Sequence, residues 1–327
     1  RPHRKQREKG EDIMKVVLLE SLAIPTEILG KYAEALRQEG HIFEAYERDL
    51  DPQVQIARAK DADIVMIANM PLSGEVIRAC KKLKYINIAF TGVDHVDLEA
   101  CKECGIQVSN ASGYSNRSVA ELALCMMLTL LRNVPQVESR CRAGQTKDGL
   151  VGNELYGKTV GIVGLGAIGQ ATAALCHAFG CRIIAYNPRI KEAPEYIEQM
   201  PLGDVLAQSD IVTLHCPLNS STRGMIGKDE LAKMKPTAFL INTARGPVVD
   251  SDALCDALNS GKIAGAGIDV FEKEPPLSPE DPLLQAKNTV VTPHVAFATQ
   301  ESMLLRAQIV FDTLDAWLKD ERKNIIL

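Results

Sequence analysis

The chain has 327 residues, of which 46% are apolar and 24% charged, with a formal net charge of −5. That length exceeds one ordinary core and suits two domains, while so mild an acidic balance excludes a long-range pull toward nucleic acid or anionic membranes. No run of about 18 apolar residues occurs, so no membrane-spanning helix is expected.

The opening "RPHRKQREKGED" is charged and lacks the apolar centre of a secretory signal, whereas Met14 directly precedes the apolar "KVVLLE". Residues 1–13 are therefore expected to be a disordered tail or an expression remnant. From Lys15, short β-branched runs ("KVVLLE", "HIFEAY", "ADIVMIA", "YINIAF", "IQVSN") alternate with helical patterns such as "TEILGKYAEALRQEG" (26–40), which stops at glycine. The longest apolar stretch, "VAELALCMMLTLLRNV" (119–134), is interrupted by Glu121, Thr129 and Arg132 and reads as a buried helix. The segment 132–157 has no core pattern and is expected to be an arm against a partner subunit. A second alternating series starts at "GKTVGIVGLG" (157–166). It runs through "CRIIAYN", "SDIVTLHCP", "TAFLINTA", "AGAGIDV" and "NTVVTPH" before a last helix, "ESMLLRAQIVFDTLDAWL" (301–318).

Strands alternating with helices imply parallel sheets covered on both faces. The helices at 117–133 and 301–318 flank the second series and are expected to pass between domains. One domain, 14–114 plus 297–327, would then be interrupted by another, 115–296. The nine cysteines are an odd number and lie mostly in apolar segments (Cys125, Cys176, Cys181, Cys255), which suits a reducing cytoplasm better than disulfides. Cys101 and Cys104 form a CxxC with no second ligand pair nearby, so plain thiols and no metal are expected.

"TVGIVGLGAIGQATAALCHAFG" places Gly164, Gly166 and Gly169 in the spacing G-x-G-x-x-G, after an apolar strand and before a small-residue helix. That context marks a dinucleotide site. Gly164 permits the turn, Gly166 lets a pyrophosphate approach, and Gly169 allows close helix–strand packing. The pyrophosphate would sit over the helix N-terminus at Ala167 and Ile168. The next strand ends in Asn187, not the usual acid, and Arg189 follows. Loss of the carboxylate removes a repulsion against a 2′-phosphate and a guanidinium can pair with one, so NADP is favoured over NAD. Asn187 can equally hydrogen-bond a ribose hydroxyl, so NAD stays open.

Three later strands end in polar residues, where open α/β sheets bind ligands. "INTARGPVVD" carries Arg245, "GAGIDVFEKEP" carries Asp269 and Glu274, and "VTPHVAFAT" carries His294, one of six histidines. Taken in order with the glycine fingerprint, these motifs resemble the D-isomer-specific 2-hydroxyacid dehydrogenases, which include glyoxylate/hydroxypyruvate reductases and phosphoglycerate dehydrogenases. "FTGVDHVDL" (90–98), "NASGYSNRSVAEL" (110–122) and "HCPLNSSTRGMI" (215–226) extend the resemblance from about Met14 to the C-terminus. It implies an α/β architecture of two Rossmann-like doubly wound parallel-sheet domains, the discontinuous substrate domain being flavodoxin-like and 115–296 binding the dinucleotide.

The resemblance also implies roles. Arg245 would grip the substrate carboxylate and polarise the keto oxygen, His294 would be the acid/base, and Glu274 would favour the charged imidazole. Asp269 would hold the nicotinamide carboxamide, and His215, Cys216, Pro217, Thr222, Thr243 and Ala244 would line the cofactor cleft. Backbone N–H groups at Thr91, Gly92, Leu72 and Met70 would complete the carboxylate pocket. His95 is expected to be structural, and His41 and His177 to be ordinary surface or core residues.

Ile88 stands where phosphoglycerate dehydrogenases carry an arginine, and the chain ends soon after Trp317 with no regulatory domain expected. Phe90, Leu72, Met70 and Tyr114 suit a small ketoacid such as glyoxylate, hydroxypyruvate or pyruvate. The expected protein is a cytoplasmic homodimer whose domains close on ligand about hinges near 113–118 and 295–300. Oxidation of another small anion (formate, phosphite) and a dinucleotide-sensing, corepressor-like interaction protein are the alternatives.

Overall fold

The computed structural model describes residues 13–327, so the expected tail lies, except for Ile13, outside the described residues. The chain divides into two compact units: one runs to Tyr114 and resumes at Gln300–Leu327, and the other is Ser115–Thr299.

In the first unit, β1 (Lys15–Leu18), α1 (Thr26–Gln38), β2 (Ile42–Ala45), α2 (Pro52–Ala59), β3 (Ile64–Ile67), α3 (Gly74–Ala79), β4 (Tyr85–Ile88), α4 (Leu98–Cys104) and β5 (Gln107–Ser109) alternate. All strand pairs are parallel, in the order β2-β1-β3-β4-β5, which is the flavodoxin-like order. Every residue of β3 and β4 is buried, as expected for continuous apolar strands covered on both faces. Local chemistry sets the helix ends. The Asp51 and Asp97 side chains accept N–H bonds from Gln53 and Ala100, and Gly105, at φ 68°, stops α4. Cys101 on α4 is buried and Cys104 exposed, and burial pushes the Cys101 thiol up to about 11.

The second unit contains α5 (Asn116–Leu131), α6 (Val134–Arg142), β6 (Thr159–Val163), α7 (Ala167–Ala178), β7 (Arg182–Tyr186), β8 (Ile197–Gln199), α8 (Leu202–Gln208), β9 (Ile211–Leu214), α9 (Lys228–Lys233), β10 (Phe239–Asn242), α10 (Ser251–Asn259), β11 (Gly265–Ile268) and β12 (Thr289–Val291). Its parallel sheet has the order β12-β11-β10-β9-β6-β7-β8, so the winding reverses between β6 and β9. Ligands of doubly wound sheets bind at the carboxyl ends beside such a reversal. α5 rests directly on the sheet: a Cβ at Gly267 of β11 would meet the Met126 Cβ at 2.9 Å.

Two elements escaped the sequence pattern. β8 is three residues long and buries only Ile197, too short for an alternation to show. α6 occupies the segment expected to lack a pattern; none of its residues is buried, so it carries no apolar periodicity. Among the described residues, no single helix is long and apolar enough to cross a membrane.

The last helix, α11 (Gln300–Leu318), belongs to the first unit. Phe311 stacks on Tyr32 at 4.1 Å and packs near Phe43 at 6.1 Å. Trp317 stacks on Tyr85 at 4.7 Å and its indole N–H donates to Gln107 at 2.7 Å. Inside the same contact, the Asn87 amide donates to the Val310 carbonyl at 2.9 Å. Phe311→Ala is expected to cost the first unit about 3 kcal/mol, through lost burial and the cavity left behind. Trp317 is the chain's single tryptophan and lies in this unit, so its fluorescence during urea unfolding reads the loss. An unshifted midpoint would show that Phe311 does not anchor α11.

Candidate active site

β6 delivers the chain into the glycine turn and α7 leads out of it. Gly164 sits at φ +99°, and a Cβ there would meet the His215 carbonyl at 2.7 Å, so the turn abuts the end of β9. A Cβ at Gly169 would strike the Gly164 carbonyl, which is the close helix–strand contact the spacing predicted. At Gly166 an added Cβ would meet nothing within 4 Å, leaving open space beside the turn. The amides of Gly166, Ala167 and Ile168 donate to no other described residue, while Gln170 N–H returns to the Gly166 carbonyl. Bare donors at the positive end of a 12-residue helix, bordered by open space, fit a pyrophosphate.

Asn187 differs in detail from expectation. Its Oδ1 accepts the Leu165 N–H at 3.1 Å and its Nδ2 donates to the Arg189 carbonyl at 2.7 Å. The side chain thus fixes the glycine turn, and one amide hydrogen is left for a ribose. The Arg189 side chain is exposed.

At the end of β9, His215 N–H donates to the Val163 carbonyl at 2.7 Å, and its Nε2 lies 3.0 Å from the Thr213 hydroxyl. Burial pushes the His215 imidazole down to about 3 and the Cys216 thiol up to about 11, so both groups are neutral near pH 7. Pro217 is exposed, and its carbonyl accepts the Thr222 hydroxyl at 2.6 Å. The same hydroxyl accepts the Asn219 N–H at 2.9 Å, so Thr222 staples its own turn.

The strands carrying the remaining residues are neighbours in register, Asn242 opposite Ile268 and Ile268 opposite Val291. Their carboxyl ends release Thr243 to Arg245, Asp269 to Glu274, and Thr292 to Ala296 side by side. Asn242, buried and not singled out from sequence, accepts the Ala244 N–H and donates to the Arg245 carbonyl, both at 3.0 Å. Arg245 Nη1 donates to the Ala244 carbonyl at 2.8 Å. A Cβ at Gly246 would run into the Phe271 carbonyl group, so only glycine lets the arginine turn lie against the stretch leading to Glu274. The Thr243 hydroxyl is buried and has no hydrogen-bond partner, which a bound ligand group would supply.

His294 Nδ1 lies 2.9 Å from Glu274 Oε1, with both side chains mostly buried, and Phe297 meets the imidazole edge-on. His294 adopts φ +54°, an uncommon conformation for a non-glycine residue. Asp269 explains it. Its carboxylate accepts the Thr292 hydroxyl at 2.6 Å and the N–H groups of Val295 and Ala296 at 2.9 and 3.0 Å, and its carbonyl accepts His294 N–H at 2.8 Å. Asp269 has no accessible surface. Its carboxylate is thereby the knot that ties the His294 turn. Thr292 is the second residue the sequence reading missed, although it stands in the quoted "VTPH".

In the first unit, two expected donors are already used: Leu72 N–H goes to the His95 carbonyl at 2.9 Å and Met70 N–H to Glu20 at 2.8 Å. Thr91 and Gly92 donate their amides to no described residue. His95 joins two loops through an Nε2–H bond to the Ala68 carbonyl at 2.7 Å. His41 caps the Met14 N–H, and His177 stacks on Tyr196. Among the described residues no cluster of three or more His, Cys, Asp or Glu could hold a metal.

A doubly wound sheet with a fingerprint turn, bare helix-end amides and an imidazole–carboxylate pair defines a nicotinamide-dependent oxidoreductase. Residues 124–296 match the family model for the D-isomer specific 2-hydroxyacid dehydrogenase NAD-binding domain. The chain is 36% identical over 330 residues to a hydroxypyruvate reductase of Blautia hydrogenotrophica, covering 96% of this chain and 99% of that one. It is 39% identical over 278 residues to a glyoxylate reductase of Korarchaeum cryptofilum, covering 82% and 83%. The solved glyoxylate reductase of Paecilomyes thermophila superposes with a TM-score of 0.86 at 31% identity, covering 96% and 98%. The chain belongs to the D-isomer specific 2-hydroxyacid dehydrogenase family.

Gly166→Val is expected to fold but to lose NAD(P)H binding, because its side chain would occupy open space beside the turn. Gly169→Ala is expected to lower the melting temperature, because its methyl meets backbone. Nucleotide fluorescence titration and calorimetry on the pair separate the two roles; equal binding by Gly166→Val would remove the site. His215 sets a further expectation. Its folded pKa is depressed below the unfolded value of about 6.5, so the unfolded chain binds the extra proton and stability falls as pH drops below that value toward 3. His215→Gln should flatten this part of the stability–pH curve.

Proposed function

We propose that the protein reduces a small 2-ketoacid to a D-2-hydroxyacid, reversibly, with His294 as acid/base. The carrying observation is the 2.9 Å pair between His294 Nδ1 and Glu274 in largely buried surroundings. In this reading Nδ1–H donates to the Glu274 carboxylate, which orients the ring, and Nε2–H protonates the carbonyl oxygen. A bound reduced nicotinamide supplies the hydride. Arg245 offers a two-pronged cation to the substrate carboxylate and to the negative charge growing on the oxygen. The unpaired amides of Thr91 and Gly92 are additional carboxylate donors in this reading. His215, held neutral, has no proton to give in the working range. In the reverse direction His294 accepts the hydroxyl proton; because reduction consumes one proton overall, its equilibrium weakens as pH rises.

The cofactor is held by the turn Gly164–Gly169, by Asn187, and by the buried Thr243 hydroxyl with Ala244, His215, Cys216 and Pro217 around it. NADP is the preferred form, supported by the exposed Arg189 and the absence of an acid at Asn187. The substrate is glyoxylate, hydroxypyruvate or pyruvate, and the names of the three reductases above support the first two. Ile88 is fully buried on β4, so that position offers no cation for a phosphate. We further propose a cytoplasmic homodimer. Five buried thiols suit a reducing compartment, and Val134, Val151 and Tyr156, at 43%, 77% and 76% exposure, suit a partner surface on the 132–157 arm.

His294→Gln should cut turnover by about two to four orders of magnitude with the NADPH dissociation constant nearly unchanged; an unaltered rate would remove its role. Arg245→Ala should raise the ketoacid KM and lower kcat, and a change confined to coenzyme affinity would refute the clamp. A matrix of ketoacids against NADH and NADPH is expected to show higher kcat/KM with NADPH. A clear NADH preference reverses the cofactor assignment, and turnover of formate or phosphite alone reverses the substrate class.

A further inference from the structure

We infer that Glu20 and His95 are positioning residues that bracket the loop Ala68–Leu72 and thereby set the enzyme's grip on its ketoacid. The inference rests on the reading above, in which Thr91 and Gly92 bind the substrate carboxylate. β1, β3 and β4 are adjacent, and Glu20, Ala68–Leu72 and Phe90–Val96 all lie just beyond their carboxyl ends, the ligand edge of such a sheet.

The Glu20 side chain is only 4% exposed. Its Oε1 accepts two backbone N–H bonds, from Ala68 at 2.7 Å and Met70 at 2.8 Å. Its Oε2 faces Arg48 Nη1 at 3.4 Å, and the same nitrogen donates to Asn69 Oδ1 at 3.2 Å. His95 holds the loop from the other side. Its ring Nε2–H donates to the Ala68 carbonyl at 2.7 Å, and its carbonyl accepts the Leu72 N–H at 2.9 Å. The Leu72 carbonyl in turn accepts Asp97 N–H at 3.1 Å.

Ala68, Met70 and Leu72 are all buried and lie outside any strand or helix, so water cannot satisfy their amides. A folded sheet alone would be served by an apolar residue at position 20 and a loop amide exposed to solvent. A carboxylate buried to collect two loop amides instead fixes one loop shape, because a displaced loop would leave a desolvated charge without donors. His95 stands three residues after Gly92, so the bonds that hold the loop also hold the turn presenting the Thr91 and Gly92 amides. The bracket therefore keeps three loop amides turned inward and two turn amides unpaired.

The test uses the full chain with the best ketoacid, measuring kcat, KM, NADPH dissociation constant and melting temperature. Glu20→Ala and His95→Ala should each raise the ketoacid KM about tenfold, with smaller changes in kcat and an unchanged NADPH dissociation constant. Glu20→Gln, whose amide oxygen can still accept both N–H bonds, should restore most of the KM. A folded Glu20→Ala with wild-type KM, equal KM in the Ala and Gln variants, or a parallel loss of NADPH affinity would overturn the inference. If Glu20→Ala does not fold, His95→Ala decides on the same criteria. Failure of the bracket alone is recognised when the parent chain reduces a ketoacid and His294→Gln is inactive while both bracket variants keep the parent KM. A parent chain inert to every ketoacid overturns the underlying reading together with the bracket.

Discussion

A carboxylate with no accessible surface survives only where donors replace its water, and the second unit is organised around one of these. Burial raises the pKa of Asp269, and the bonds from Thr292, Val295 and Ala296 oppose that rise. All three donors come from one stretch of five residues, so satisfying the charge wraps Thr292–Ala296 around it. The wrap puts His294 at φ +54°, a conformation that costs a side-chain-bearing residue about 1–3 kcal/mol unless its surroundings impose it. Desolvation of one acid is thus converted into the fixed orientation of an imidazole, which a second acid, Glu274, then meets at 2.9 Å.

The dinucleotide side of the unit obeys the same rule with the sign reversed. Here the backbone leaves donors without partners: the amides of Gly166, Ala167 and Ile168 at the head of α7, and the buried hydroxyl of Thr243. Each is a small deficit that a phosphate or amide-bearing ligand would remove. Asn187 and Asn242 do the complementary work. Each joins the main chain on both sides of a turn and so fixes the turn's shape.

The two sheets share a construction and differ in strand order. Parallel strands with crossover helices place every connecting loop of one kind at the carboxyl edge, so residues far apart in sequence end at a common rim. In the second sheet this gathers positions 164, 215, 245, 274 and 294. In the first it gathers Glu20, the Ala68–Leu72 loop and the turn after β4.

Two alternating series of strands and helices, a discontinuous α/β layout and the glycine spacing were all legible in the sequence, because each rests on local chemistry. Buried parallel strands must be apolar throughout, and a dinucleotide turn tolerates glycine alone at Gly164. Arg245, Glu274 and His294 were legible as polar residues at strand ends, and the resemblance assigned their roles. What tertiary structure alone decided is how the remaining polar groups are paired. Thr222 staples its own turn, Asp269 ties the His294 loop, and the Met70 and Leu72 amides point to Glu20 and His95 instead of outward. None of these could be read from spacing, since hydrogen-bond partners as much as 50 residues apart are chosen by strand order and burial, which exist only once the sheet has formed.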